Sequence, residues 1–136
     1  METISNSVLT VGVSEHGAEL QSIQKNGKEY LWQGDTRFWG RRSPVLFPIV
    51  GRVWEDTYRY AGNSYRMGQH GFARDMEFTL VSEKDDEVRY RLVSNEETLQ
   101  KYPFPFCLEI GYRIQGKQIE VIWRSVADSY RILRKI

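Results

Sequence analysis

The chain has 136 residues, with 19 lysines and arginines against 18 acids and a net charge of +1. That is room for one domain with a sizeable core, and the even balance excludes nucleic acid or an anionic membrane surface as a partner held by bulk charge. Cys107 is the single cysteine, which excludes an internal disulfide and sets a reducing, cytoplasmic compartment as the expectation.

METISNSVLT, at the start, has no basic region followed by an apolar run, and no window nears the roughly 18 apolar residues of a membrane span. No CxxC or HxxxH spacing marks a metal site. In chain order, Leu9, Val11 and Val13 alternate, His16-Gly17 breaks the run, Ala18 to Gln24 resumes it, and Asn26-Gly27 turns the chain into Glu29 to Trp32. The spacing predicts a meander of three short strands. Asp35 to Arg52 holds two prolines and two glycines without a clean period, and reads as a long loop packed on the sheet. Loops of that length in compact domains tend to carry function.

Two hairpins follow. Thr57 to Tyr60 and Ser64 to Met67 flank Gly62-Asn63, while Met76 to Ser82 and Val88 to Val93 flank the acidic turn Lys84-Asp85-Asp86. That acidic run reads as solvated, not as a metal loop. The one helical candidate is Ser94 to Tyr102, with Ser94 or Asn95 as cap, Glu96 and Glu97 at the positive end and Pro103 as the stop. The clearest strand comes last: Phe104, Phe106, Leu108, Ile110, Tyr112 and Ile114 share one face, with Cys107, Glu109, Gly111 and Arg113 on the other. Past Gln115-Gly116-Lys117, Ile119, Val121 and Trp123 alternate again, so the pair predicts an antiparallel hairpin. The whole reads as an all-β fold.

Four tryptophans, eight tyrosines and six phenylalanines serve equally well as a sandwich core or as platforms for sugar rings, whose C–H faces are apolar. The histidines are His16, which reads as a solvated turn residue, and His70 in QHGFARD. Histidine exchanges protons near neutral pH, so His70 reads either as a site residue or as a plain turn. Cys107 has no histidine near it in sequence and reads as a packing residue.

Three stretches taken in order decide between those readings. They are Gly17-Ala18-Glu19-Leu20-Gln21-Ser22-Ile23 with Glu29-Tyr30-Leu31-Trp32, then Pro44 through Arg52 (PVLFPIVGR), then His70-Gly71-Phe72-Ala73-Arg74; Tyr102-Pro103-Phe104-Pro105-Phe106 adds a fourth. Together they resemble the aldose 1-epimerase, or galactose mutarotase-like, superfamily, and its bacterial epimerase-like branch in particular. The resemblance implies an antiparallel β-sandwich and interconversion of the anomers of an aldose: a base takes the C1 hydroxyl proton, an acid protonates the ring oxygen, and the opened ring closes on the other face. It implies no cofactor, because the chemistry is proton transfer on a positioned sugar.

Carried onto this chain, the resemblance makes His70 the catalytic-site histidine, bonded to the sugar near its ring oxygen or a hydroxyl. Arg52 would donate to vicinal hydroxyls through its planar fork. Arg74 and Asp75 would orient His70 or complete the rim, and Trp54 and Phe72 would be stacking faces or core. The likeness covers residues 8 to 123, so the expected organisation is the first part of a sandwich over 1–123 followed by an atypical basic tail over 124–136. In the family the general acid and base lie well downstream. The expectation is therefore a truncated family polypeptide, weakly active or inactive alone, with a carbohydrate-binding module or a structural fragment as alternatives. Open sheet faces and edges would favour a homo-oligomer.

Overall fold

The computed structural model describes residues 1–126. Two four-stranded antiparallel sheets face each other. The first has the order β1-β2-β3-β4, from Glu2–Ser5, Thr10–Val13, Leu20–Lys25 and Lys28–Glu29. The second has the order β10-β9-β8-β7, from Gln118–Val126, Cys107–Gln115, Glu87–Val93 and Thr79–Glu83. A separate hairpin pairs β5 (Thr57–Tyr60) with β6 (Asn63–Arg66). The expected all-β, antiparallel architecture is present.

Register explains the core. Opposed residues of an antiparallel pair share a face, so Leu92 with Leu108, Tyr90 with Ile110 and Val88 with Tyr112 form inward rows. Ile4, Val11 and Ile23 form the matching row of the first sheet. All but Ile23, which is partly buried, are buried. The polar ends of two core tyrosines cross the layer: Tyr112 Oη donates to the Ala18 carbonyl at 2.6 Å, and Tyr90 Oη reaches the Val13 carbonyl at 3.4 Å. At the rim, Ser5 N donates to the Asp85 carbonyl at 2.9 Å, and Asn6 Nδ2 to the Gly116 carbonyl at 2.9 Å.

The hairpin of β9 and β10 follows the expected alternation, although β9 begins at Cys107. Phe104 and Phe106 precede it and join an aromatic cluster instead. Phe47 sits at the centre of that cluster, its ring 5.0 Å from Phe106, 6.2 Å from Phe72 and 6.2 Å from Tyr102. The short helix α1 (Glu96–Lys101) starts at Asn95, not Ser94. Asn95 Oδ1 accepts from Thr98 N at 2.9 Å and Thr98 Oγ1 accepts from Asn95 N at 2.9 Å, a reciprocal cap of the kind that contributes about 1 kcal/mol. Ser94 has another job, since its Oγ accepts from Phe106 N at 3.1 Å.

Three features differ from the sequence reading. β1 is an additional strand at the chain start, paired along β2. β10 continues past Trp123 through Val126, with Arg124, Ser125 and Val126 opposite Glu109, Leu108 and Cys107; the rest of the expected tail, 127–136, lies outside the described residues. Finally, Ile119, Val121 and Trp123 oppose Ile114, Tyr112 and Ile110, so they stand on the core face, yet Val121 is 53% and Trp123 49% exposed. The first sheet stops short of covering β10. No helix among the described residues is long and apolar enough to cross a membrane.

Candidate functional site

Two loops that are far apart in sequence are fastened by their main chains. Phe72 N and Ala73 N both donate to the Phe47 carbonyl, at 2.9 and 3.2 Å. The contact is close because residue 71 is glycine: a Cβ there would sit 2.2 Å from the Phe47 oxygen, and its φ is +74°. Only glycine meets both demands without strain.

One step along, the fastening becomes chemical. His70 N donates to the Gly51 carbonyl at 2.7 Å, and Gly51 N donates back to His70 Nδ1 at 2.8 Å. A backbone N–H can only donate, so Nδ1 is the acceptor and the neutral ring carries its hydrogen on Nε2. The sequence 47–52 thus sets the tautomer of a histidine that lies 19 residues downstream. His70 itself adopts φ +64°, a conformation uncommon for a side-chain-bearing residue and often found at functional positions.

His70 lines a hollow of about 450 Å³ together with Trp39, Ser43, Leu46, Gln69 and Arg74. Gln69 and Arg74 also line a neighbouring hollow of about 490 Å³ that reaches Asp56, Asp75 and Lys101. Asp56 in turn borders a third, about 620 Å³, shared with Arg52 and Trp54. The shared residues make the three hollows one concave band around the His70 loop, within the usual size range of small-molecule sites, about 300–1,000 Å³.

Each expected site residue has a definite place. Arg52, next to Gly51, donates from Nε to Asp56 Oδ1 at 2.7 Å, and its side chain is 62% exposed. Trp54 is 86% exposed beside it. Arg74 donates from Nη2 to the Gln69 carbonyl at 3.0 Å, while its Nε is buried without a partner among the described residues. Asp75 is bound to Arg41 Nη2 at 2.9 Å and only distantly to Arg74, at 3.9 Å, so its contact is with the 35–43 loop and not with His70. Phe72 is 5% exposed and packed in the aromatic cluster, against Phe47 and Phe106; it borders the roughly 490 Å³ hollow but leaves little of its surface open for stacking. His16 is exposed and pairs with Glu77 at 2.5 Å, and Cys107 is half-buried.

These pairings decide what the site can do. Three carboxylates from the segments around the histidine are occupied: Asp56 by Arg52, Asp75 by Arg41 and Glu77 by His16. Among the phenols, burial pushes the Tyr58 hydroxyl up to about 12 with Tyr102 and Tyr65 adding to it, and burial also raises Tyr102, so neither releases a proton near neutral pH. Among the described residues no group of three or more His, Cys, Asp or Glu side chains is arranged to hold a metal ion. The band offers hydrogen-bond donors, aromatic faces and the carboxylates of Glu55 and Glu97, and among the described residues the side chain of His70 is hydrogen-bonded to Gly51 N and to no second titratable group.

Sequence reasoning missed two contributors. Trp39 lay inside the loop marked as functional, but nothing local distinguishes it from Trp32 or Phe38. Glu19 carries the stem of that loop: it is 7% exposed, and its Oε1 accepts from Arg42 N and Ser43 N at 3.1 and 3.2 Å. A lone glutamate gives no sequence signal for that role.

The antiparallel layers and the two fastened loops define a protein of the mutarotase-like class. The sequence model of the family described as aldose 1-epimerase matches residues 2–131, and the chain belongs to that family. The chromosomal and plasmid LacX proteins of Lactococcus lactis subsp. lactis are each 38% identical to it over 122 residues, covering 85% of this chain and 41% of theirs. A galactose mutarotase related enzyme from Lactobacillus acidophilus is 40% identical, with a TM-score of 0.92 over 93% of this chain and 43% of that one. A galactose mutarotase-like protein from Lactobacillus casei is also 40% identical, with a TM-score of 0.90 over 94% of this chain and 44% of that one. The chain therefore spans about two-fifths of the length of the relatives it matches.

Proposed function

We propose that this chain carries the sugar-recognition part of an aldose 1-epimerase-like site. The observation behind the reading is the two-way hydrogen bond between Gly51 and His70, which leaves Nε2–H free to donate to the ring oxygen or a hydroxyl of a bound aldose. Arg52 serves sugar hydroxyls through Nη1, the guanidinium nitrogen that Asp56 does not use, Arg74 closes the rim, and Trp54 gives an apolar face beside Arg52. The reaction would be anomer interconversion by proton transfer alone, with no cofactor. The general acid and base implied by the family resemblance fall beyond the region that this chain shares with its relatives, so the chain by itself binds a sugar and turns it over weakly or not at all. A cytoplasmic setting accords with the lone Cys107.

Calorimetric titration with D-galactose and D-glucose, run beside polarimetry on the freshly dissolved α anomers, tests this. The expected result is binding that weakens by about tenfold in His70→Ala, the loss of one hydrogen bond to a polar partner, and a mutarotation rate close to that of buffer. Equal affinity in the two proteins would remove His70 from the site.

The uncovered face of β10 carries a second part of the proposal. Its Val121 and Trp123 side chains and its open edge are where another polypeptide strand would add, and we assign this surface to self-association. Light scattering at micromolar concentration is expected to give a dimer or larger species, and Trp123→Lys to shift it toward monomer; a clean wild-type monomer would rule this out.

A further inference from the structure

We infer that Trp39 is the stacking wall of the His70 hollow and restricts its ligands to ring-closed sugars with an apolar C–H face. The inference rests on the sugar-binding reading above and adds to it a residue and a criterion of selection.

Trp39 is held by its backbone, which leaves the ring free. Its N donates to the Asp35 carbonyl at 2.9 Å, and its carbonyl accepts from Trp32 Nε1 at 2.8 Å. Arg37 closes on the Asp35 carboxylate at 2.7 Å. Two residues on, Arg41 bonds Asp75 at 2.9 Å, and Arg42 N and Ser43 N end on buried Glu19. The 35–43 loop is therefore closed on itself over 35–39 and tied at 41–43 both to Glu19, just before β3, and to Asp75 in the turn that follows His70. An indole on such a loop loses little further freedom when a ligand lies against it.

Trp39 is 50% exposed, and it lines the roughly 450 Å³ hollow with His70, Gln69 and Arg74. One apolar wall together with several hydrogen-bonding groups is what an amphiphilic ring requires: its C–H face meets the indole while its hydroxyls and ring oxygen meet donors. Phe72, buried in the core, cannot supply that wall, and Trp54 lies in a different part of the band, with Arg52. A closed pyranose presents a flat C–H face, whereas an open-chain polyol with the same hydroxyls does not.

The test is calorimetric titration of the 136-residue chain with D-galactose, D-glucose and the ring-less polyol galactitol, with thermal melts to verify that each variant is folded. Expected are binding of the two hexoses but not of galactitol, a loss of roughly tenfold in Trp39→Ala, and affinity within about threefold of wild type in Trp39→Phe, which keeps an aromatic face. Trp32→Phe, which removes the hydrogen bond to the Trp39 carbonyl, should fall between them. If Trp39→Ala fails to fold, the wild-type chain still decides the matter, because saturation transfer by NMR from indole protons to the sugar's ring C–H protons must be seen. Unchanged affinity in folded Trp39→Ala, with His70→Ala still weakened, overturns the stacking wall and leaves the sugar site standing. Absence of hexose binding by wild type overturns both, and binding of galactitol as tight as galactose overturns the selection for closed rings.

Discussion

Gly71→Ala is expected to destabilise the fold by about 3 kcal/mol or more, lowering the melting temperature by on the order of 10 °C. Two costs combine. A side-chain-bearing residue at positive φ costs roughly 1–2 kcal/mol, and the new Cβ would stand 2.2 Å from the Phe47 carbonyl oxygen and 2.5 Å from its carbon. Those are backbone atoms, and moving them means giving up the hydrogen bonds from Phe72 N and Ala73 N. Gly27→Ala separates the two terms, since Gly27 has a φ of +75° with nothing within 4 Å of its Cβ position. That variant should lose only about 1 kcal/mol. Equal melting temperatures for the two variants would show that the approach of residues 47 and 71 is not tight in solution. Gly71→Ala should also weaken the proposed sugar binding, because His70 is placed by the strap that Gly71 allows.

Phe47→Ala carries the second large effect, about 3–5 kcal/mol, the usual cost of emptying a buried phenylalanine site. Phe47 is 2% exposed and touches Phe72, Tyr102 and Phe106 through ring edges and tilted faces. The site cannot collapse easily, because those three neighbours, from two segments, are each pinned by hydrogen bonds: Phe72 to Phe47, Tyr102 to Thr98 and Phe106 to Ser94. Chemical denaturation should show the loss as a lowered midpoint with little change in slope. Phe47→Leu, which keeps most of the volume, should cost about half as much or less. An alanine variant within about 1 kcal/mol of wild type would mean that the aromatic cluster is peripheral to stability and not the anchor of the 44–52 loop.

How much of this was legible in the sequence follows from where each feature gets its energy. The alternation of Leu108, Ile110, Tyr112 and Ile114 is a local pattern with one buried face, so β9 could be read directly. β1 could not: of its four residues only Ile4 is buried, and its pairing with β2 comes from tertiary contact. Phe72 read as either a stacking face or core, and its place in the core, 5% exposed, follows from the bend at Gly71, which no local pattern states. Trp39 is the reverse case, an aromatic whose exposure depends on Arg41 meeting Asp75, 34 residues away. Trp123 kept its predicted face while lacking the cover that such a face ordinarily has, and no alternation pattern states what lies opposite.

The exchange of hydrogen bonds between Gly51 and His70 has a bearing on how this site tolerates mutational drift. In many proteins the hydrogen on a histidine ring is directed by a neighbouring side chain, and a single codon change can redirect it. Here the instruction comes from a peptide group, which every residue type except proline possesses. Substitutions along the rim can reshape the hollow, while the polarity of the imidazole at its wall stays set as long as position 51 keeps its backbone conformation, φ +86°.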